Sequence, residues 1–253
     1  MTRAVTLMRE VPVPRLDLLD RATAPDPEGL DVIPPLENGD YLTRAEYERR
    51  YDAMPEGVRA ELIDGIVYMA SPVSYRHSGP HSSLTMWLGD YARATRGTHM
   101  RIAPSVRLGP KDMPEPDTLL RIVEEAGGLS RVDEDDYLSG PVELAAEVAA
   151  SSASRDLNQK KRRYLERGIV EYLVVVVRTR EVLWFVRRGG RFVAMKPDRR
   201  GVLRSKVFPG LWLDAPALLA GDDRRVHAVL AKGLRSREHA AFARKLRRRI
   251  GAS

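Results

Sequence analysis

The 253-residue chain contains no cysteine, which excludes a disulfide framework, a thiolate metal site and a cysteine nucleophile together. Aromatic residues make up only 6% of it. Paired carboxylates can serve glycoside hydrolysis, but an aromatic-rich sugar cleft is hard to build from so few rings. No apolar run approaches the length of a bilayer span and the N-terminus lacks the apolar core of a signal peptide, so a cytoplasmic protein with no membrane partner is expected. A Gly-rich phosphate loop and a Ser-centred nucleophile elbow are both missing, which sets those phosphate-binding and hydrolase classes aside.

What is present suits one main domain with extensions: 43% of the residues are hydrophobic and the net charge is +7. Such a charge favours a polyanionic partner. Its placement matters more, because residues 222–253 hold ten Lys/Arg against three Asp/Glu and the remaining chain is near neutral. In that tail Phe242, Leu246 and Ile250 recur at helical spacing, so its apolar face could dock on a partner subunit while its basic face meets phosphates non-specifically. Residues 1–40 carry prolines at 12, 14, 25, 27, 34 and 35 and read as an extended lead-in. The chain therefore divides into 1–40, a domain over 41–221, and a basic extension over 222–253.

Inside the domain, Thr43 and Glu46 form a capping box that opens a helix ending near Met54-Pro55. Asp64-Gly65, between Glu61–Ile63 and Ile66–Ala70, suits the type I′ turn of a hairpin. After a loop over Ser71–Arg76, Leu84, Trp87, Leu88 and Tyr91 mark a helix running to Gly97. Strands are expected over Arg101–Leu108 and Thr118–Val123, then an acidic loop over Glu124–Gly140. Later come a hairpin across Gly189-Gly190, a strand over Val202–Val207, and a short helix opened by Asp214 and Pro216.

The stretch Val142–Val177 organises the rest. Alternation over Val142–Ala149 reads as a strand on which Glu143 and Glu147 point the same way, roughly 13 Å apart at 3.3 Å per residue, too far to share one ion. Glu147, where the strand meets a Ser-rich loop, is the better site candidate. Asp156 is placed to cap a helix over Leu157–Arg167 that stops at Gly168. Leu157, Tyr164 and Leu165 mark its inward face, with Lys161 near the middle and Lys160 at the edge. Glu171–Val177 reads as a strand covered on both faces, which completes a strand, helix, strand crossover.

Glu147-Val148, Ser152, Asp156, Lys160, Tyr164, Gly168 and Glu171-Tyr172 together resemble the Uma family, a branch of the PD-(D/E)XK nuclease superfamily. The likeness extends over 41–214, through Glu61–Gly65, Ser71-Pro72 to His77, Pro116-Asp117 and Pro209-Gly210-Leu211. The turn departs from the family's usual Ser-Pro-Ser-Thr, and Val176 stands where an Asp is common. The resemblance implies an α/β, restriction-endonuclease-like fold, with a mixed central sheet flanked by helices. It also implies a metal-dependent endonuclease acting on nucleic acid, DNA rather than RNA.

Hard oxygen ligands suit Mg²⁺ or Mn²⁺, and Asp117 and Glu147 fill that role, with the Val148 carbonyl implied by the family. The lysine usual two residues after the strand Glu is replaced by Ala149. Family spacing nominates Lys160 from the next helix, while the helical wheel equally allows Lys161. Glu61 is expected to complete the acidic cluster. His77 and Tyr164 are expected in support. A homodimer is also expected. The competing reading is a non-catalytic nucleic-acid-binding or assembly module that keeps the fold.

Overall fold

The computed structural model describes residues 33–72 and 75–252. Most of the Pro-rich lead-in, residues 1–32, lies outside the described residues. Thr43 opens the first helix as its spacing predicts: its hydroxyl accepts from the Glu46 N–H, and α1 covers Arg44–Asp52. The hairpin follows as β1 (Ala60–Ile63) and β2 (Ile66–Met69). Asp64 and Gly65 have φ of 56° and 82°, the pair of positive values a type I′ turn requires. This hairpin forms its own two-stranded sheet and is held by reciprocal backbone hydrogen bonds of 3.1 and 2.8 Å between Leu62 and Met113. That contact brings Glu61 to the loop preceding Asp117.

Helix α2 (Tyr75–Ala94) buries Leu84, Trp87, Leu88 and Tyr91 as their spacing predicts, but begins inside the segment expected as a loop. The single strand expected over Arg101–Leu108 is two. It breaks at Ala103, whose φ of 45° no regular strand accommodates. β3 (Thr98–Ile102) stays in the main sheet, and β4 (Val106–Arg107) leaves it. β5 (Thr118–Ile122) pairs with β3. The acidic segment expected as a loop contains a 3₁₀ turn (Glu124–Ala126), β6 (Arg131–Val132) and β7 (Leu138–Ser139), the last two joining β4 in a small sheet.

β8 (Leu144–Ala149) is buried along its whole length. The helix after it is continuous through α3 (Ala153–Arg155), a wide π-helical turn (Asp156–Lys160) and α4 (Lys161–Glu166). Asp156 is therefore no N-cap: it sits inside the helix, and its carboxylate accepts from the Ser152 hydroxyl at 2.5 Å. Gly168, at φ 92°, ends the helix as expected. β9 (Glu171–Val176) then runs parallel to β8, completing the crossover. The Glu171 carboxylate is buried against Ser205, Lys206 and Val207, accepting from the hydroxyl and two backbone N–H groups at 2.8, 2.6 and 3.2 Å.

β10 (Glu181–Arg188) and β11 (Arg191–Ala194) form the expected hairpin. β12 (Val202–Arg204) is shorter than the expected strand and pairs with β13 (Trp212–Asp214). Asp214 caps α5 (Ala215–Ala220), followed by α6 (Asp223–Leu234) and α7 (Arg237–Ile250).

The main sheet has the order β11-β10-β9-β8-β5-β3, parallel only between β8 and β9. Helices cover both faces, as expected of a mixed α/β fold. On one face α2 and the C-terminal helices enclose Trp87, Leu120, Val148, Leu173 and Trp184; on the other, Tyr164, Tyr172, Val174 and Phe185 pack together. Leu246 is buried in the first of these cores with Phe242 and Ile250 against it, so the stripe considered for a partner subunit is used within the chain. No helix among the described residues is long and apolar enough to cross a membrane.

Candidate active site

β5 and β8 pair antiparallel with Thr118 opposite Ala146, which sets Asp117 beside Glu147 where the ladder ends. The carboxylates take over from the backbone there. Val148 N–H donates to Asp117 Oδ2 at 2.7 Å, and Asp117 N–H points at Glu147 Oε2 at 3.4 Å. The neighbourhood expected of Asp117 and Glu147 is thus present. Glu143, at the other end of β8, instead accepts from the backbone N–H groups of Ile122 and Leu129 and takes no part.

The helix brings Lys160 over this pair. Its Nζ lies 2.8 Å from Glu61 Oε2 and 2.9 Å from Glu147 Oε1, with the lysine 2% and Glu147 4% exposed. Tyr164 donates its hydroxyl to the same Glu147 oxygen at 3.1 Å, and Glu61 Oε2 also accepts from Glu115 N–H at 3.2 Å. Lys161 does not share the site. Its Nζ sits 3.6 Å from the centroid of the Phe185 ring. The wide turn is what selects Lys160: Lys161 N–H reaches back to Asp156 O, and Tyr172 donates a second hydrogen bond to that carbonyl at 3.1 Å.

Electrostatics follow from burial. Removal from water pushes the Glu147 carboxyl well above its ordinary range, against the pull of Lys160. Burial alone would neutralise Lys160, but the carboxylates of Glu147, Glu61 and Asp156 outweigh it and keep the ammonium charged. Asp117 is also buried enough to be raised, yet His77, the Val148 N–H and Lys160 bring it below the usual value. His77 is raised in turn, first by its contact with Asp117 at 3.6 Å and further by the Val148 carbonyl.

These groups line a cleft of about 850 Å³. Five carboxylates, Glu61, Glu115, Asp117, Glu147 and Asp156, face it against the cations Arg59, Arg155 and Lys160. That excess of negative charge, all on hard oxygen donors, fits a divalent cation of the Mg²⁺ or Mn²⁺ kind. Among the described residues no three ligating side chains already converge. Mg²⁺ commonly takes only one or two protein carboxylates and keeps its water, so a pair with a nearby backbone carbonyl suffices.

Several members of the site were missed in the sequence. His81, whose Nε2 lies 3.0 Å from Asp117 O, was detectable as the i+4 neighbour of His77 on α2. Arg155, Glu115 and Tyr68 carried no spacing signal.

Residues 44–216 match the Uma2 family model, described as "Putative restriction endonuclease". The chain belongs to the Uma2 family. The matched span nearly coincides with residues 41–214, which carry the resemblance. A crystal structure from Anabaena variabilis ATCC 29413, described as a putative nuclease belonging to DUF820, superposes with a TM-score of 0.53 at 12% identity, covering 68% of this chain and 97% of that one. At that identity the likeness establishes a shared fold. No curated protein matches. In this Uma2-family chain the shared fold places Asp117, Glu147, Lys160 and Glu61 around a single cleft.

Proposed function

We propose that this chain is a divalent-metal-dependent nuclease that hydrolyses phosphodiester bonds of DNA rather than RNA. One observation carries the reading: a buried, charged Lys160 held on Glu147, where that carboxylate lies beside Asp117 in an open acidic cleft. Asp117, Glu147 and the Val148 carbonyl would hold Mg²⁺ or Mn²⁺, which when bound supplies Lewis acidity and a more acidic water. Lys160 orients the attacking water or offsets charge gathering on the phosphoryl oxygens. Glu61 keeps that ammonium aligned from its other side, Tyr164 fixes the rotamer of Glu147, and His77 steadies Asp117. The family's description as restriction endonucleases supports DNA. With one acidic cleft of this kind among the described residues, two copies are needed to cut both strands at once, so a homodimer on DNA is part of the proposal, readable by sedimentation.

The test is cleavage of labelled DNA and RNA in Mg²⁺, Mn²⁺ or chelator, with Asp117→Asn alongside. DNA scission that needs metal and disappears in the variant is expected. Binding of DNA without scission in any metal would instead identify a non-catalytic module, and undiminished scission by the variant would remove Asp117 from the mechanism.

A further inference from the structure

Three cations face the cleft, and they differ in how fully their donors are occupied. Lys160 is enclosed between two carboxylates. Arg59 is paired with Glu115, its Nε and a terminal nitrogen both donating to one carboxylate oxygen. Arg155 is different. Its nearest carboxylate contacts are 3.3 Å to Glu61 and 3.9 Å to Asp156, both looser than the bonds Lys160 makes, and its Nε is buried with no hydrogen-bond partner. The guanidinium lies over the Tyr68 ring at 4.6 Å from its centroid, and Tyr68 is itself fixed by a 2.6 Å hydrogen bond to Gln159. The side chain remains 29% exposed, toward the cleft it lines.

A guanidinium oriented by an aromatic shelf, with donors still available, is pre-organised for a planar, two-point grip on an anion. The obvious anion in reach, Glu61, gives its Oε2 to Lys160 and the Glu115 N–H and leaves Arg155 only a 3.3 Å contact with Oε1. We infer that Arg155 is the substrate-gripping cation of the cleft, donating two parallel N–H bonds to the non-bridging oxygens of a phosphodiester and exchanging its loose contact with Glu61 for that bond. The inference rests on the nuclease reading and adds the residue that holds the substrate while Lys160 and the acids act on it. Tyr68 is then a positioning residue: its ring fixes the plane of the fork.

The experiment measures binding of a short DNA duplex in Ca²⁺ as a function of salt, and cleavage in Mg²⁺, for wild type, Arg155→Ala, Arg155→Lys and Tyr68→Leu. Loss of the fork should weaken binding about ten- to a hundredfold in Arg155→Ala and reduce the salt slope by about one. Arg155→Lys should recover the salt slope but only part of the affinity, because a point charge replaces a bidentate donor. Tyr68→Leu should weaken binding while keeping the slope. If wild type cleaves DNA and Arg155→Ala matches it in affinity, slope and rate, the assignment is wrong while the nuclease reading stands. If Arg155→Ala lowers the rate but leaves affinity and slope unchanged, Arg155 merely supports Glu61 and the inference also fails. Wild type that neither binds nor cuts the duplex overturns both.

Discussion

The Lys160 ammonium bridges Glu61 on the hairpin and Glu147 on the central sheet, at 2.8 and 2.9 Å, and so ties two separately built sheets through one buried charge. Its removal leaves two carboxylates facing each other out of water. Lys160→Ala is therefore expected to lose about 3 kcal/mol or more of stability. Glu61→Gln in the same chain should restore part of it, and Mg²⁺ should raise the Tm of Lys160→Ala more than that of wild type. Equal Tm values for wild type and Lys160→Ala in chelator would contradict the bridging role.

Asp117→Asn keeps an acceptor for the Val148 N–H while removing the charge. Cleavage should fall at least a hundredfold with Tm changed by only a few degrees, a combination that separates chemistry from folding. Calorimetry with Mn²⁺ should show weakened metal binding; unchanged binding would place the ion elsewhere.

Lys161→Ala removes only a cation lying on Phe185. A stability loss below about 1 kcal/mol is expected, with cleavage unaltered. A large drop in rate would reverse the choice between the two neighbouring lysines.

Burial pushes the Glu171 carboxyl up to about 7 from an ordinary 4.5. Between those values the folded protein keeps a proton that the unfolded chain releases, so stability declines as pH rises across that window and is level above it. Measured against Glu171→Gln, which cannot titrate, wild type should lose about 3 kcal/mol between pH 4.5 and 7. A stability difference independent of pH would show that the carboxyl titrates normally.

Leu246 is fully enclosed by the sheet and its helices. Leu246→Ala should cost about 2–5 kcal/mol, and truncation after Asp222 should lower Tm rather than merely dissociate an oligomer. Urea unfolding measures the first and thermal unfolding the second. A truncated chain as stable as the full one would return the C-terminal stripe to the role of assembly surface.

Local chemistry was legible in the sequence wherever one short segment decides its own shape. Asp64-Gly65, Thr43 and Gly168 impose backbone geometry by themselves, and the apolar run of β9 announces burial on both faces. The proximity of Asp117 and Glu147 was legible only through resemblance, because it depends on the pairing of strands thirty residues apart. Two-residue strands such as β4 and β7 have no periodicity to read, and at Ala103 the N–H still continues the ladder to Asp117 O at 3.1 Å while the backbone turns away, a break that nothing local announces. Asp156 reads as a cap because it so often is one; nothing local says that the helix has already begun at Ala153. Arg155 and Tyr68 meet only once the hairpin folds against the helix.

The wide turn at Asp156–Lys160 imposes an unusual kind of constraint. A π-helical turn carries one residue more than an α-helical one, so deleting one residue within it would relax the turn to regular helix with Tyr164 still in phase, whereas the same deletion in α4 would swing everything beyond it by about 100°. Asn158, though exposed, donates its amide to Ser154 O at 2.7 Å, so a substitution there costs one hydrogen bond and leaves the register alone. Between Ser152 and Lys160 lies the place where this helix absorbs a change in residue number, and beyond Lys160 it has no such slack.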